Sequence, residues 1–270
     1  MTPARVALFE SRLSTEIEAL VRRAGMEPVC VPAVREERRP PGSELSSLVA
    51  AVAGEAAPVF VFLTGVGVAA LFDAARAAGC EAELRASIGR SVSVCRGPKP
   101  VAALHKEGIA ASVKARSPFT TADLVEALAP LELQRRLVVL LHYGERNEPL
   151  VSALEKRGAR LRELVLYEWE LPDDIAAVER IVVDLAEGRF AAAAFTSQIQ
   201  ARNLFAIAER IGQKAALATA LRSRTVVAAV GPTCARALCD LGVAPQVVPA
   251  APKMGPMVSA LAAHLLRERA

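Results

Sequence analysis

Shifted against itself by about 133 residues, the chain lines up in four places in the same order, which chance hardly gives. "FLTGVGVAALF" from Phe62 falls on "FTSQIQARNLF" from Phe195 without a gap, with Phe62 over Phe195, Thr64 over Ser197 and Leu71-Phe72 over Leu204-Phe205. Val6-Ala7-Leu8 falls on Val139-Leu140-Leu141, and Gly25 falls on Gly158. With one inserted residue, Gly97-Pro98 falls on Gly231-Pro232, Leu104 on Leu238 and Gly108 on Gly242. The last match is a whole motif made twice: an apolar run, Gly-Pro, then an Ala/Leu-rich segment closed by Gly and a β-branched residue.

Each half reads as strands alternating with helices. The expected strands are 6–9, 28–31, 59–63, 91–95 and 111–115 in the first half, and 137–142, 160–167, 191–196, 225–230 and 246–248 in the second. "VFVFL", "LVVLL" and "VVAAV" are uninterrupted apolar runs, which suit strands covered on both faces of a parallel sheet. The intervening segments are amphipathic; in "STEIEALVRRAG", Ile17, Leu20 and Val21 share a face and Gly25 is placed to stop the helix. Alternating strands and helices predict a doubly wound α/β architecture, here duplicated.

Composition is consistent with two such cores. Apolar residues make up 53% of the chain and aromatics 4%, so packing is aliphatic and Ala-rich. The five cysteines form no CxxC pair and the three histidines are scattered, which suggests neither a zinc site nor a disulfide framework; reduced thiols and a cytoplasmic location are expected. Charges at Arg5, Glu10, Arg12, Glu16 and Glu18 exclude the apolar core of a signal peptide. No stretch reaches the ~18 uncharged apolar residues of a membrane span. A net charge of +4 without a dense Lys/Arg face argues against nucleic acid and fits an anionic small ligand. Neither GxGxxG nor GxxxxGK[ST] nor GxSxG occurs, so an enzyme built this way works by binding and orienting a reactive substrate, and neither metal nor cofactor is expected.

Ligands of doubly wound sheets sit beyond the carboxyl ends of the strands, where the following helices present free N–H groups and a partial positive charge. "AVGPTCARAL" suits that position: Gly231 admits a ligand to the backbone, Pro232 stiffens the turn, and Thr233 either caps the helix or donates outward. Thr196 and Ser197 close a strand in the same way. Cys234 reads as a small buried residue, and His142 as either a ligand contact or a solvated turn residue. Tyr167 and Trp169 read as core packing or ligand contact, Asp173 and Asp174 as caps of the next helix, and "REERRPPGSE" from Arg35 as a solvated linker.

Four segments together resemble the uroporphyrinogen-III synthase family: "FTSQIQARNLF", "AAVGPTCARALCDLG", "VLYEWELP" and "SPFTTADLVEAL". The resemblance runs over essentially the whole chain. It implies two flavodoxin-like doubly wound domains joined by two linker strands near 29–37 and 165–172, one domain from 1–36 plus 172–270 and the other from 37–171. It implies hydroxymethylbilane as substrate, held between the domains, and a transient partner in the hydroxymethylbilane synthase that precedes it; no membrane or nucleic acid is implied. Tyr167 matches the family tyrosine that helps the hydroxyl leave. Ser197 and Thr233 match strand-end hydroxyls that meet substrate carboxylates, beside Thr196 and Gly231. Thr64, Gly65, Gly97 and the "HYGERNE" loop with Gly144 and Arg146 are expected to face the same ligand. Two departures stand out: "LFESR" replaces T-R-P, leaving Arg12 as substitute, and Lys99 stands where a small or hydroxyl residue is common, either as a carboxylate partner or as a solvated cation. The rival is a non-catalytic sensing module of the same fold that binds a polycarboxylate or tetrapyrrole.

Overall fold

The computed structural model describes residues 3–39, 44–142 and 144–268. The chain divides into two compact units, one running to Arg35 and resuming at Glu170, the other running from Glu36 to Trp169.

The second unit carries α2 (Glu44–Ala53), β4 (Val59–Phe62), α3 (Gly65–Ala77), α4 (Glu81–Gly89), β5 (Val92–Cys95), α5 (Pro98–Lys106), β6 (Val113–Lys114), α6 (Thr121–Leu128), β7 (Leu137–Leu141), α7 (Glu148–Lys156) and β8 (Arg160–Leu164). Its sheet has the order β6-β5-β4-β7-β8, parallel throughout. The first unit begins with β1 (Arg5–Leu8), α1 (Ser14–Arg23) and β2 (Glu27–Cys30). It resumes with α8 (Ile175–Ala186), β10 (Ala192–Phe195), α9 (Gln198–Arg210), α10 (Lys214–Ser223), β11 (Val226–Ala229), α11 (Pro232–Asp240) and α12 (Met254–Glu268). Its sheet order is β11-β10-β1-β2, again parallel, and Val247 bridges Ala228 at the β11 edge as Val113 of β6 bridges Val94. The two halves of the repeat therefore build the same sheet, each beginning from a different point along the chain.

The central strands β4, β7, β10 and β11 are buried at every residue, because helices cover both faces. In the first unit, Ala7 and Phe9 pack with α8 and α9 while Val6 and Leu8 pack with α1 and α12. In the second, Val139 and Leu141 pack with α2 and α3 while Val138 and Leu140 pack with α6 and α7. Val6 thus corresponds to Val138, and the pairings Val6↔Ala192 and Val138↔Val59 agree. The sequence match places Val6 on Val139, one residue away. The unbroken apolar run of β7 has no alternation to fix its phase, and a one-residue slip exchanges the two faces of a strand.

Two further differences concern the passages between units. The expected strand 160–167 ends at Leu164; β9 (Tyr167–Glu170), within the linker strand implied near 165–172, pairs with β3 (Arg35–Arg38), at the end of the one implied near 29–37, in a separate two-stranded sheet. "REER", expected as solvated linker, is β3 itself; residues 40–43 of that segment lie outside the described residues. Its arginines, and Arg39 after it, are matched by acids: Arg35 to Glu170 at 2.6 Å, Arg38 to Asp73 at 3.1 Å and Arg39 to Glu168 at 2.6 Å. The expected helix ends hold. Gly25 and Gly158 follow α1 and α7 with φ of 76° and 72°, and Asp174 caps α8 by accepting the Ala177 N–H at 2.9 Å.

Candidate active site

In the second unit, β4 ends in a turn whose side chains are tightly specified. Thr64 is the N-cap of α3: its Oγ1 accepts the Gly67 N–H at 2.9 Å and shares a 2.9 Å hydrogen bond with the Tyr167 hydroxyl. A Cβ on Gly65 would lie 2.9 Å from the Lys99 carbonyl oxygen, so glycine is what lets the starts of α3 and α5 approach each other. Gly97 caps α5 in extended backbone with Pro98 following, and Lys99 is exposed on that first turn. Thr64, Gly65, Gly97 and Lys99 are therefore brought to adjacent strand ends.

Tyr167 stands at the start of β9, 1% exposed, with Trp169 packed edge-on at 5.3 Å and 82°. Gly144 lies against that indole. It has φ of 75°, its carbonyl accepts the Trp169 backbone N–H at 3.4 Å, and a Cβ there would fall 1.9 Å from Trp169 Cδ1. Tyr143 lies outside the described residues. Arg146, expected to meet substrate, is engaged within the unit: it grips Glu163 in a fork at 2.8 and 2.9 Å and reaches Glu148 at 2.5 Å. The fork raises the Arg146 pKa. The Arg146 hydrogen bond, against the opposing effect of burial and with help from His142, holds the Glu163 carboxyl below the usual carboxylate range.

His142 is neither solvated nor presented to ligand. Its side chain is fully buried; Nδ1 accepts the Asn147 N–H at 3.2 Å, which leaves the ring proton on Nε2, 2.7 Å from Glu163 Oε2. Asn147 in turn caps α7 and donates from Nδ2 to Thr121 Oγ1 at 3.0 Å. Nothing in the sequence signals this network, since its partners meet across strands β7 and β8.

The first unit has the same backbone and other chemistry. Ser197 is the N-cap of α9 and makes no side-chain capping bond. Instead Gln200 folds back, its Oε1 accepting the Thr196 N–H at 2.8 Å and its amide donating to Thr196 Oγ1 at 2.8 Å. The Thr196 hydroxyl donates to Glu10, which also accepts the N–H groups of Arg12 at 3.2 Å and Leu13 at 3.4 Å. Arg12 thus lies beside an acid that fills the strand end. Gly231 caps α11 in extended backbone with Pro252 close by, and Thr233 is exposed on the first turn. Cys234 is buried as expected, and burial pushes its thiol up to about 12, so it is no nucleophile at neutral pH.

A family model described as uroporphyrinogen-III synthase HemD matches residues 15–259. The chain belongs to the uroporphyrinogen-III synthase family. A mutant uroporphyrinogen III synthase of the extremely thermophilic bacterium Thermus thermophilus has a crystal structure similar to it, with a TM-score of 0.78 and 30% identity over 98% of this chain and 99% of that one. The uroporphyrinogen-III synthetase of Helicobacter pylori 26695, at 16% identity and a TM-score of 0.55 over 98% and 100%, shares the fold. Over 265 residues the chain is 30% identical to the uncharacterized protein YjjA of Bacillus subtilis (strain 168), covering 96% of this chain and 95% of that protein.

Uroporphyrinogen-III synthases are cyclising lyases of tetrapyrrole biosynthesis, and the expected family and α/β fold hold for this chain. No helix among the described residues is long and apolar enough to cross a membrane. Within this synthase-family scaffold the Gly-Pro turns and Thr64 were legible from the motif, whereas Glu10, Gln200, Asn147 and Glu163 carried no signal in sequence beyond being polar residues near strand ends.

Proposed function

We propose that the chain cyclises hydroxymethylbilane to uroporphyrinogen III, with ring D inverted. The observation that supports this reading best is the hydroxyl pair Tyr167–Thr64 at the N-terminus of α3. Thr64 Oγ1 accepts the Gly67 N–H, and that bond polarises its own hydroxyl. With Thr64 donating to the phenol oxygen, Tyr167 serves as donor or orienting group to the terminal hydroxyl of the substrate, which leaves as water. The azafulvene cation so formed attacks the substituted carbon of ring D. The resulting spiro-pyrrolenine breaks the older bond to ring D, recloses at the other α carbon, and loses a proton. Substrate and product differ by one water.

The cation is reactive once made, and unassisted closure gives the other isomer. The protein's task is accordingly to hold the chain of four rings in the geometry that leads to the spiro intermediate. The helix starts of either unit suit carboxylates such as the eight of the substrate. In the second unit these are the α3 and α5 turns with Thr64, Gly65, Gly97 and Lys99, whereas Arg146, forked onto Glu163, and Gly144, set against Trp169, act from within the unit. In the first they are the α9 and α11 turns with Thr196, Ser197, Gly231 and Thr233, together with Arg12. Each helix start contributes about 0.3–1 kcal/mol to an exposed anion. The hydroxymethylbilane synthase that makes the substrate is the proposed transient partner.

The test is to supply the purified protein with hydroxymethylbilane generated in situ, oxidise the products, and separate uroporphyrins I and III by chromatography. Predominant isomer III supports the reading; isomer I alone, at the spontaneous rate and from folded protein, overturns it.

A further inference from the structure

We propose that His142, Glu163 and Arg146 form a positioning device that seats the segment 144–147 against Trp169 and thereby sets the Tyr167 hydroxyl; this rests on the role of Tyr167 in the proposed reaction.

The device is a continuous chain of contacts within one unit. His142 closes β7 with its imidazole wholly buried, an expensive place for a polar ring unless both nitrogens are matched. Nδ1 takes the Asn147 N–H and Nε2–H meets Glu163 on β8, so the ring ties the strand end to the residue that starts α7. Glu163 is held a second time by the Arg146 fork, from the residue adjacent to Asn147. The Asn147 amide fixes the segment to α6 through Thr121. Residues 146 and 147 are thus anchored at four points, and two residues earlier Gly144 lies where any side chain would collide with Trp169.

Trp169 passes this placement to Tyr167. Its backbone N–H bonds the Gly144 carbonyl, its ring stands edge-on to the phenol, and the phenol hydroxyl bonds Thr64. The His142 carbonyl also borders the same turn, 3.9 Å from where a Gly67 Cβ would stand, with Tyr167 Cε1 at 3.8 Å. Moving His142 therefore disturbs the phenol from two sides. The ionised Glu163 is the central partner: it accepts from both His142 and Arg146, so a neutral replacement weakens both bonds.

Trp169 is the only tryptophan in the chain, which gives the device its own optical reporter. The experiment compares His142→Leu, His142→Gln, Glu163→Gln and Gly144→Ala with the wild type in three measurements: tryptophan emission, kcat and KM for isomer III formation, and thermal unfolding. His142→Leu and Glu163→Gln are expected to shift Trp169 emission and lower kcat by about tenfold with KM within about twofold. Gly144→Ala should do the same without touching His142. His142→Gln, which keeps an acceptor for Asn147 and a donor for Glu163, should recover most of the lost kcat and the wild-type emission. Two results overturn the proposal: unchanged emission and kcat in folded Glu163→Gln and Gly144→Ala, or a rise in KM at constant kcat, which would make Arg146 and Glu163 part of substrate binding. Should His142→Leu fail to fold, the other three variants still decide. A wild type that forms no isomer III would defeat the functional reading alone, because the emission shifts would still report whether the device seats Trp169.

Discussion

The two units place different chemistry on one backbone, and the difference is concentrated at the strand ends. By register, Glu10 of the first unit stands where His142 stands in the second, and Cys30 stands where Glu163 stands. In the first unit, an acid takes the Thr196 hydroxyl and two backbone N–H groups, and the neighbouring strand offers a thiol whose Sγ lies 3.3 Å from the Glu10 carbonyl. In the second, an imidazole is held by an acid on the neighbouring strand. The following helix differs in step: Thr64 caps α3 and binds Tyr167, whereas Ser197, its counterpart, makes no side-chain cap on α9. Duplication has kept the sheet and the helix starts, while the polar groups around them have diverged so that only the second unit holds a buried phenol beside a capping hydroxyl.

The largest expected effect tests that asymmetry directly. Tyr167→Phe should slow isomer III formation by about 10- to 100-fold, equal to ~1.4–2.7 kcal/mol of transition-state stabilisation. Thr196→Val, at the matching strand end of the first unit, should cost less than about tenfold because backbone donors remain there. Equal losses in steady-state assays of the two variants would erase the distinction between the units.

Next come the paired Gly-Pro turns, where the repeat is most faithful. A Cβ at Gly231 would stand 2.8 Å from Pro252 Cβ, while one at Gly97 would meet the Phe119 ring at 3.3 Å. Both glycines are extended, so crowding rather than backbone strain decides. Gly231→Ala is expected to destabilise by about 1–2 kcal/mol, since a proline ring yields little, and Gly97→Ala by about half as much. Chemical denaturation of both variants checks this. A larger loss at Gly97 would mean that the second unit, not the first, has the tighter turn.

A smaller contrast lies in the caps themselves. Thr64→Ala removes a bond to the Gly67 N–H and should cost about 1 kcal/mol, whereas Ser197→Ala removes no cap and should cost a few tenths at most. Thermal melts that rank them the other way would show that Ser197 caps α9 in solution.

How far sequence reaches follows from the same comparison. The repeat announces the α/β class, the helix starts and the Gly-Pro turns because these depend on local residues, such as Gly25 and Gly158 in their left-handed stops and Asp174 on α8. It misplaces the phase of β7 because "LVVLL" is apolar at every position, and phase is set by which helices cover which face. The family resemblance implies a linker strand near 29–37, but the residues of β3 do not show it, because "REER" looks like a loop until Glu168, Glu170 and Asp73 are brought beside it from distant parts of the chain. Within the site, Thr64 and Tyr167 each stand out by motif, but their hydrogen bond joins residues 103 positions apart. The His142–Glu163 pair is invisible in sequence for the same reason: it exists only once the register of β7 on β8 is fixed.

The smallest effect sharpens the pair that most separates the units. The Arg146 fork first, with burial opposing and His142 assisting, sets the Glu163 pKa lower in the folded protein than in the unfolded chain. A depressed carboxylate stabilises the fold fully above its unfolded value of about 4.3, and that stabilisation is lost as the pH falls through the folded value. Cys30, at the equivalent place, is pushed up to about 11, chiefly by burial and then by Glu18 and Glu10, so it stays a neutral thiol throughout that range and adds no acid dependence. Because Glu163 is partly open to solvent, its contribution is a few tenths of a kcal/mol after screening. The melting temperatures of wild type and Glu163→Gln should therefore differ at pH 7 and converge towards pH 3. A gap that stays constant or widens as the pH falls would mean that Glu163 is not held ionised by its partners, and that His142 and Glu10 differ in shape but not in electrostatic setting.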